Sequence, residues 1–206
     1  MQENKVLFQR ALVWFRRDLR SVDHAALYHA LRQSKTVYCA FIFDKTILNN
    51  LPENDRRLAF IHASIIELDK ALAKLRSDFG SNAGAGLLVR YAHAEAAIPQ
   101  LVNELNIDAV FVNHDYEPQA NARDTEVKQA LAKHRCAFLS YKDQVIFEKS
   151  EVLSQANTPF SVYTPYKNAW LKKFHAEASD FYSRSYPIEK YAHRLAAPPD
   201  CTCPTL

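Results

Sequence analysis

Residues 11–20 change abruptly from a continuous apolar run into a series of alternating charges. The apolar part, which ends at Phe15, is typical of a strand that is buried on both faces of a sheet. Arg16, Arg17 and Asp18 would then lie at the carboxyl end of that strand, where open α/β sheets bind their ligands. A core strand followed by a solvated basic loop explains the stretch equally well. A ligand-binding loop is favoured only if the same pattern recurs along the chain.

The change from apolar run to polar loop does recur, and segments of helical period separate the runs. Strands are predicted at residues 11–15, 36–43, 87–91, 109–112 and 136–141. Helices are predicted at 23–33, from 54 or 55 to about 79, at 95–105 and at 121–134. Asp23 is the predicted N-cap of the first helix, and Pro99 is expected in the first turn of the third. Five strands alternating with four helices predict an α/β fold, a doubly wound, Rossmann-like parallel sheet with helices on both faces.

The regular alternation ends near residue 143, and the remainder of the chain is rich in aromatic residues. One helix is predicted there, at residues 165–174 or slightly longer, and residues 196–206 are expected to form a free end. A disordered linker would be poor in aromatic residues, so these rings need a surface that covers them. We therefore divide the chain into an α/β domain at 1–142 and an irregular to helical connector at 143–206.

Composition argues against several classes of protein. The 206 residues carry a net charge of +3, which is too small to indicate nucleic-acid binding. No apolar run is long enough to span a membrane, and the first residues lack the apolar core of a signal peptide, so a cytosolic protein is expected. The three glycines do not stand where a phosphate-binding loop after the first strand would need them.

The four cysteines do not indicate a metal centre. Cys39 and Cys136 lie in apolar runs and are expected to be buried thiols. Cys201 and Cys203 stand close together, but a tetrahedral site needs further ligands and only His193 is near them in sequence. We therefore predict no metal-binding residues.

The loops after the strands carry the candidate binding residues. In a doubly wound sheet these loops meet at one edge. The residues that this arrangement would gather are Phe15, Arg16, Phe41, Asp44, Arg57, Asn113, Asp115 and Glu117. Such a mixture of charges, an amide and rings suits a planar, polar ligand. The alternative is that the carboxylates are solvated or are paired with Arg56 or Arg123.

Four motifs resemble those of the DNA photolyase and cryptochrome family and stand in the same order. They are LVWFRRDLR at 12–20 followed by Asp23, DRR at 55–57 with Phe60, NHDYEP at 113–118 with Arg123 and Asp124, and FSVYTPYKNAW at 160–170. The first and last are specific. The TPYKNAW part of the last motif is more similar to bacterial cyclobutane-dimer photolyases than to animal cryptochromes.

The resemblance implies a protein of two parts. In this family an amino-terminal α/β domain holds an antenna chromophore, and a larger helical domain after it binds FAD and damaged DNA. Reduced FAD, excited by light, donates an electron to a pyrimidine dimer that is flipped out of the duplex, and the cyclobutane ring splits. On this reading the present chain holds no catalytic residue and is inactive alone. Its partners are its own FAD domain and, through that domain, damaged DNA in the bacterial cytosol.

The resemblance also bears on the antenna chromophore. Members that bind a reduced folate (MTHF) carry an Asn-Glu pair where Gln119 and Ala120 stand here. Members that bind FMN or a deazaflavin have an aromatic residue on the second strand, an early arginine in the second helix and acidic residues after the fourth strand. The matching residues are Phe41, Arg57, Asp115 and Glu117. FMN or a deazaflavin is therefore favoured, a folate is the alternative, and an empty pocket is the third case.

Two other functions fit the same sequence. A cryptochrome photoreceptor shares the amino-terminal domain, which therefore does not separate it from a repair enzyme. A stand-alone nucleotide-binding or electron-transfer module would have the same architecture, although a glycine-rich phosphate loop would be expected in it.

Overall fold

The five strands form one parallel sheet, as predicted. The computed structural model describes residues 6–49, 51–52, 55–78, 86–182 and 185–199. The strands are β1 (Phe8–Phe15), β2 (Ser34–Asp44), β3 (Leu87–Ala92), β4 (Ala109–Asn113) and β5 (Ala137–Tyr141). Their spatial order is β3-β2-β1-β4-β5, and every neighbouring pair is parallel. The chain therefore winds away from β1 in both directions, and this leaves a crevice between the loops that follow β1 and β4.

Helices cover both faces of the sheet. They are α1 (Ala25–Gln33), α2 (Lys45–Leu48), α3 (Arg56–Ser77), α4 (Ala94–Leu105), α5 (Pro118–Lys133) and α6 (Tyr163–Tyr182), with 3₁₀ turns at Lys149–Glu151 and Ile188–Arg194. Alternate residues of β1 enter different cores because strand side chains alternate between faces. Val13 and Phe15 pack with α1 and α3, whereas Leu12 and Trp14 pack with α4 and α5. The predicted α/β fold with helices on both faces is confirmed.

The structure differs from the sequence predictions in several local features, among them the start of α5 at Pro118 and the extension of α6 to Tyr182. Asp23 does not cap α1, because its backbone has a φ of 46° and the cap is His24, whose Nδ1 accepts from the Leu27 amide at 3.0 Å. Pro99 lies in the second turn of α4, not in the first, since that helix begins at Ala94. The short helix α2 was not predicted, because four residues are too few to show a helical period.

The segment after α6 packs back on the α/β core. Ile188, Ala192 and Leu195 are buried against α1, α3 and β2, and the Ala196 amide donates to the Val37 carbonyl at 2.8 Å. The expectation of a free end from residue 196 is therefore wrong for Ala196, while residues 200–206, which include Cys201 and Cys203, lie outside the described residues. The division of the chain at residue 142 stays a prediction.

Hydrogen exchange should separate the packed and exposed parts of this carboxyl-terminal region. We expect the Ala196 amide to exchange as slowly as the edge strands, because it extends the hydrogen bonding of β2. Residues 155–162 should exchange fast, since most of their side chains are exposed and the segment belongs to no helix or strand. Mass spectrometry of peptic peptides measures both. Equal protection in the two segments would contradict this packing.

The two cysteines in the described part of the chain are buried, as predicted. Burial raises the pKa of the Cys136 thiol to about 11 and also raises that of Cys39, so both are poor nucleophiles at neutral pH. Among the helices of the described residues, none has the length and apolar character needed to cross a membrane.

Candidate functional site

The amino terminus of α1 lies at the centre of the crevice between β1 and β4. Helix N-termini present unpaired amides that often bind phosphate. Here protein side chains already accept from them: Asp143 from the Ala25 amide at 3.0 Å, and Asn113 Oδ1 from the Ala26 amide at 2.9 Å. His24 accepts from the Leu27 amide through its ring and from the Tyr28 amide through its carbonyl. This helix terminus is therefore closed to a phosphate group.

Asn113, His24 and Asp18 form a buried polar triad behind that terminus. Asn113 Nδ2 donates to Asp18 Oδ2 at 2.7 Å, and His24 Nε2 lies 2.9 Å from the same oxygen. Because His24 Nδ1 accepts an amide hydrogen, Nε2 carries the ring proton and donates to the carboxylate. Burial raises the pKa of Asp18, but the hydrogen bonds from His24 and from the Arg16 amide outweigh it and hold that pKa well below its usual range.

Arg16 is also committed to protein contacts. Its Nη1 donates to both carboxylate oxygens of Asp124, at 2.6 and 2.7 Å, and its Nη2 donates to the Asn113 carbonyl. The guanidinium lies over the ring of the buried Trp14, with 5.2 Å between Cζ and the ring centroid. Arg16 therefore ties the loop after β1 to α5, and a ligand would have to compete with Asp124 for it.

Arg17, Asp115 and Glu117 form the outer layer of the crevice. Arg17 Nη1 donates to Glu117 Oε1 at 2.6 Å and lies 3.6 Å from Asp115 Oδ1. The side chains of Arg17 and Glu117 are 60% and 65% exposed, whereas that of Asp115 is 8% exposed. Long, exposed side chains exchange partners easily, so this layer is the part of the crevice that can open.

The other predicted residues stand at different depths. Phe15 is fully buried against His24, and Phe41 is 7% exposed with its ring edge-to-face against Phe43. Asp44 caps α2 through the Thr46 amide at 3.0 Å and lies 3.8 Å from Arg123. Arg57 pairs with Asp55, the cap of its own helix, at 2.6 Å and is 70% exposed. The structure thus brings Arg16, Asn113, Asp115 and Glu117 together, while no contact in the described part of the chain joins Arg57 to them.

A second polar network, which the sequence did not indicate, links the loop after β4 to the connector. Glu148 Oε2 accepts from the Tyr116 hydroxyl at 2.8 Å and lies 2.8 Å from His114 Nδ1. Burial, together with the hydrogen bond to Glu148, raises the pKa of the Tyr116 phenol, so this hydroxyl stays a donor at neutral pH. No spacing rule relates Glu148 to Tyr116, because the fold alone places the connector beside β4.

The cavities at this edge are small. The crevice lined by Arg16, Arg17, Asn113 and Asp115 has a volume of about 10 Å³, which is room for one water molecule. A more open groove of about 190 Å³ lies beside it, between α5 and β5, and is lined by His114, Asp124, Lys128, Phe138 and Lys149, among others. Pockets for drug-sized ligands are usually about 300–1,000 Å³. A planar ligand in the crevice therefore requires the Arg17 layer to move.

Comparison with known proteins identifies the family. A family model described as DNA photolyase matches residues 11–184. The chain belongs to the DNA photolyase family. The resemblance drawn from the four sequence motifs is confirmed.

Three relatives illustrate the match. A deoxyribodipyrimidine photo-lyase from a Synechococcus strain is 31% identical over 77% of this chain and 31% of its own. A bacterial class III photolyase from Agrobacterium tumefaciens superposes with a TM-score of 0.73 at 27% identity, over 96% of this chain and 37% of its own. An archaeal photolyase from Sulfolobus tokodaii, solved with two FAD molecules and implicating a novel light-harvesting cofactor, has a TM-score of 0.63 at 27% identity, over 78% and 34%. The chain spans about a third of the length of these relatives.

The family motifs occupy two regions of the structure. The first motif forms β1 and the loop that carries Asp18, and the third forms the end of β4 with Asn113. These two motifs therefore supply two members of the buried triad, and His24 directly follows the first motif. The last motif begins α6, where Tyr163 is 73% exposed, while Trp170 stacks on Phe174 with 4.9 Å between ring centroids. The first region is packed and complete, whereas the second presents aromatic surface to solvent.

Proposed function

We propose that this chain is the amino-terminal light-harvesting domain of a deoxyribodipyrimidine photo-lyase that works in the bacterial cytosol. The complete enzyme would repair cyclobutane pyrimidine dimers by light-driven electron transfer from reduced FAD held in a separate helical domain. The observation that carries the proposal is that two family motifs build one polar crevice at the β1/β4 edge, on a chain whose match covers 31% of the length of a photo-lyase. In α/β sheets this edge is where ligands bind.

The exposed motif at the start of α6 supports a second domain. Val162 and Tyr163 are 60% and 73% exposed, and apolar side chains grouped on one surface mark interaction sites. We propose that the connector, residues 143–206, leads into the FAD domain and that this domain covers exposed aromatic side chains of α6, such as Tyr163. Catalytic residues would then belong to that domain, not to this chain.

A nucleotide-binding module is the less favoured alternative. Such a module would hold a phosphate at the amino terminus of α1. Asp143, Asn113 and His24 accept from the first four amides of that helix, so a phosphate would have to displace a carboxylate of like charge. An antenna that uses its ring system, and not a phosphate, fits this edge better.

We propose that the antenna is of the flavin type, FMN or a deazaflavin, with a reduced folate as the weaker ligand. The proposed site keeps the eight residues Phe15, Arg16, Phe41, Asp44, Arg57, Asn113, Asp115 and Glu117. Their depths suggest different roles: Asp115 and Glu117 would accept hydrogen bonds from the ring after Arg17 swings out, and Phe15 and Phe41 would form the apolar floor. The two FAD molecules of the Sulfolobus tokodaii photolyase support a second flavin in this family.

Titration with FMN tests the antenna proposal. A hydrogen bond to a charged group contributes roughly 1.5–3 kcal/mol, so Arg57→Ala and Glu117→Ala should each weaken FMN binding about tenfold or more. Arg90→Ala is the matched control, because Arg90 lies on β3 and pairs with Glu104 of α4, which is not a residue of the proposed site. Quenching of flavin fluorescence measures the dissociation constants.

Two results would count against the antenna. One is an unchanged FMN affinity in Arg57→Ala, and the other is a reduced folate that binds at least as tightly as FMN. Either would remove the flavin assignment and leave family membership untouched, since the family rests on residues 11–184 as a whole.

A further inference from the structure

Three potential metal ligands converge where β2 and β3 end. Asp44 is the last residue of β2, His93 precedes α4, and Glu95 stands in the first turn of α4. One ligand atom from each lies within 4.8 Å of the other two. The parallel pairing of β2 with β3 produces this convergence, because Asp44 is in register with Ala92, the residue before His93. Modest rotations of His93, which is exposed, and of Glu95, which is half-buried, would place all three atoms around one ion.

The Asp44 carboxylate is buried but incompletely hydrogen-bonded. The residue is 5% exposed, and its Oδ1 accepts from the Thr46 amide. Among the described residues its Oδ2 has Arg123 as a counter-ion at 3.8 Å, which is too long for a hydrogen bond. This oxygen is not one of the fully buried atoms that lack a hydrogen-bond partner, so it is open to water or to an ion.

The guanidinium of Arg123, which lies 3.8 Å from Asp44 Oδ2, also lacks one hydrogen bond. Arg123 Nε is buried and has no hydrogen-bond partner within the described residues, although the group lies over the Trp14 ring with 5.1 Å between Cζ and the ring centroid. A cation bound to Asp44 Oδ2 would carry its own water molecules, and such a water can accept from Nε–H. A hydrated ion would therefore contact Asp44 directly and Arg123 through a water.

The charges around the cluster decide which ion it can take. Asp44 and Glu95 bring two negative charges, while Arg123 and the amino terminus of α4 oppose a cation. Lys45 is also near in sequence, but its Nζ lies over the Tyr91 ring at 4.9 Å from the centroid. The positive charge of Arg123 and of the helix terminus would largely cancel the attraction of the two carboxylates for a monovalent cation. A divalent ion bound directly by the carboxylates and an imidazole is attracted more strongly.

We propose that Asp44, His93 and Glu95 bind a first-row divalent transition ion such as Mn²⁺. Carboxylates suit Mn²⁺, and the imidazole favours transition ions over Mg²⁺ and Ca²⁺. Thr46 Oγ1 lies 3.1 Å from His93 Nδ1 and orients the ring, as the partners of metal-binding histidines commonly do. The ion would fasten the end of β2 to the start of α4, and its other two ligands, His93 and Glu95, are not among the residues of the proposed antenna site.

Mn²⁺ binding to the 206-residue chain tests the site. Cys201 and Cys203 are replaced by serine so that tail thiols cannot contribute, and free Mn²⁺ is measured by electron paramagnetic resonance. We expect one ion per chain. Removal of an orienting partner of a metal ligand weakens binding about 10–100-fold, so His93→Ala and Glu95→Gln, which remove ligands, should each weaken it at least tenfold.

Exposed residues elsewhere provide matched controls. His134→Ala and Glu126→Gln, at the end and on the surface of α5, should leave Mn²⁺ affinity unchanged. Asp44→Asn is avoided because Asp44 also caps α2, and circular dichroism verifies that the other variants fold. Mn²⁺ should also broaden the imidazole proton resonances of His93 and not those of His134. Absence of saturable binding, or equal affinity in the wild type, His93→Ala and Glu95→Gln, would overturn the proposal.

Discussion

Asp18→Asn should lower the free energy of unfolding by about 3 kcal/mol, the range seen when one partner of a buried charged network is removed. The wild-type carboxylate accepts from the Arg16 amide at 2.9 Å through Oδ1, and from Asn113 and His24 through Oδ2. Asparagine has the same shape but only one acceptor oxygen. Its amide group would therefore face at least one donor N–H in either orientation, and the donor opposite it would lose its partner in a buried site.

The size of this effect should depend on pH. The pKa of Asp18 is held well below its usual range in the folded chain. A carboxyl with a depressed folded pKa contributes its full stabilisation above the unfolded value, which is about 3.9, and loses it as pH falls below that value. The difference in unfolding free energy between wild type and Asp18→Asn should therefore be constant near neutral pH and should shrink below about pH 4.

Urea denaturation followed by circular dichroism measures both quantities. Asp78→Asn is a matched control, because Asp78 is an exposed residue at the end of α3 and should change stability by no more than about 0.5 kcal/mol. If the two variants were equally stable, the buried triad would not be a major determinant of the fold around the crevice.

Strand and helix positions were predictable because they depend on local pattern. The apolar runs set the strands, and α3 begins within two residues of its predicted start, where Asp55 Oδ1 accepts from the Arg57 amide at 2.8 Å. The cap of α1 could not be predicted from residue type in this way. Histidine is a rarer cap than aspartate, and His24 takes the role only because the buried triad fixes its ring.

Partners that are distant in sequence could not be assigned from residue type. Arg16 was expected to bind a ligand, but its guanidinium donates to Asp124 instead. Asp143 is a buried acceptor for the Arg20 side chain and for the Ala25 amide, a role that the sequence did not indicate. The family motifs did indicate that these segments matter, since Arg16, Asn113 and Asp124 all lie in them. They did not distinguish a residue that builds the crevice from one that would touch a ligand, because both are fixed by the same fold.

The sequence did not indicate the proposed metal cluster for a related reason. The sequence was searched for cysteines and histidines at short spacings, whereas Asp44 and His93 become neighbours only through the pairing of β2 with β3. Paired strands bring residues together without any fixed sequence interval. Aspartate and glutamate are mostly exposed in folded proteins, so their presence in a sequence does not by itself indicate a metal site.

Illumination of this chain with a dimer-containing oligonucleotide and added reduced FAD should restore no thymine above a buffer control. Electron transfer to the dimer requires the flavin and the flipped base to be held in contact, and positioning of this kind supplies much of the rate in enzymes. The crevice has a volume of about 10 Å³, and the groove beside it about 190 Å³, so neither accommodates FAD together with a dimer. The net charge of +3 also provides no strong attraction for the phosphate backbone.

Chromatography of the digested oligonucleotide measures restored thymine, and the Synechococcus deoxyribodipyrimidine photo-lyase, which is about three times longer than the matching region, serves as the positive control. A dark sample separates light-driven repair from hydrolysis. Addition of FMN to the chain should not change the outcome, because an antenna can only pass excitation to a flavin that is bound beside the dimer. Repair by the chain above the buffer control would mean that the α/β domain itself holds the redox flavin against DNA, and the assignment of catalysis to a separate helical domain would then be wrong.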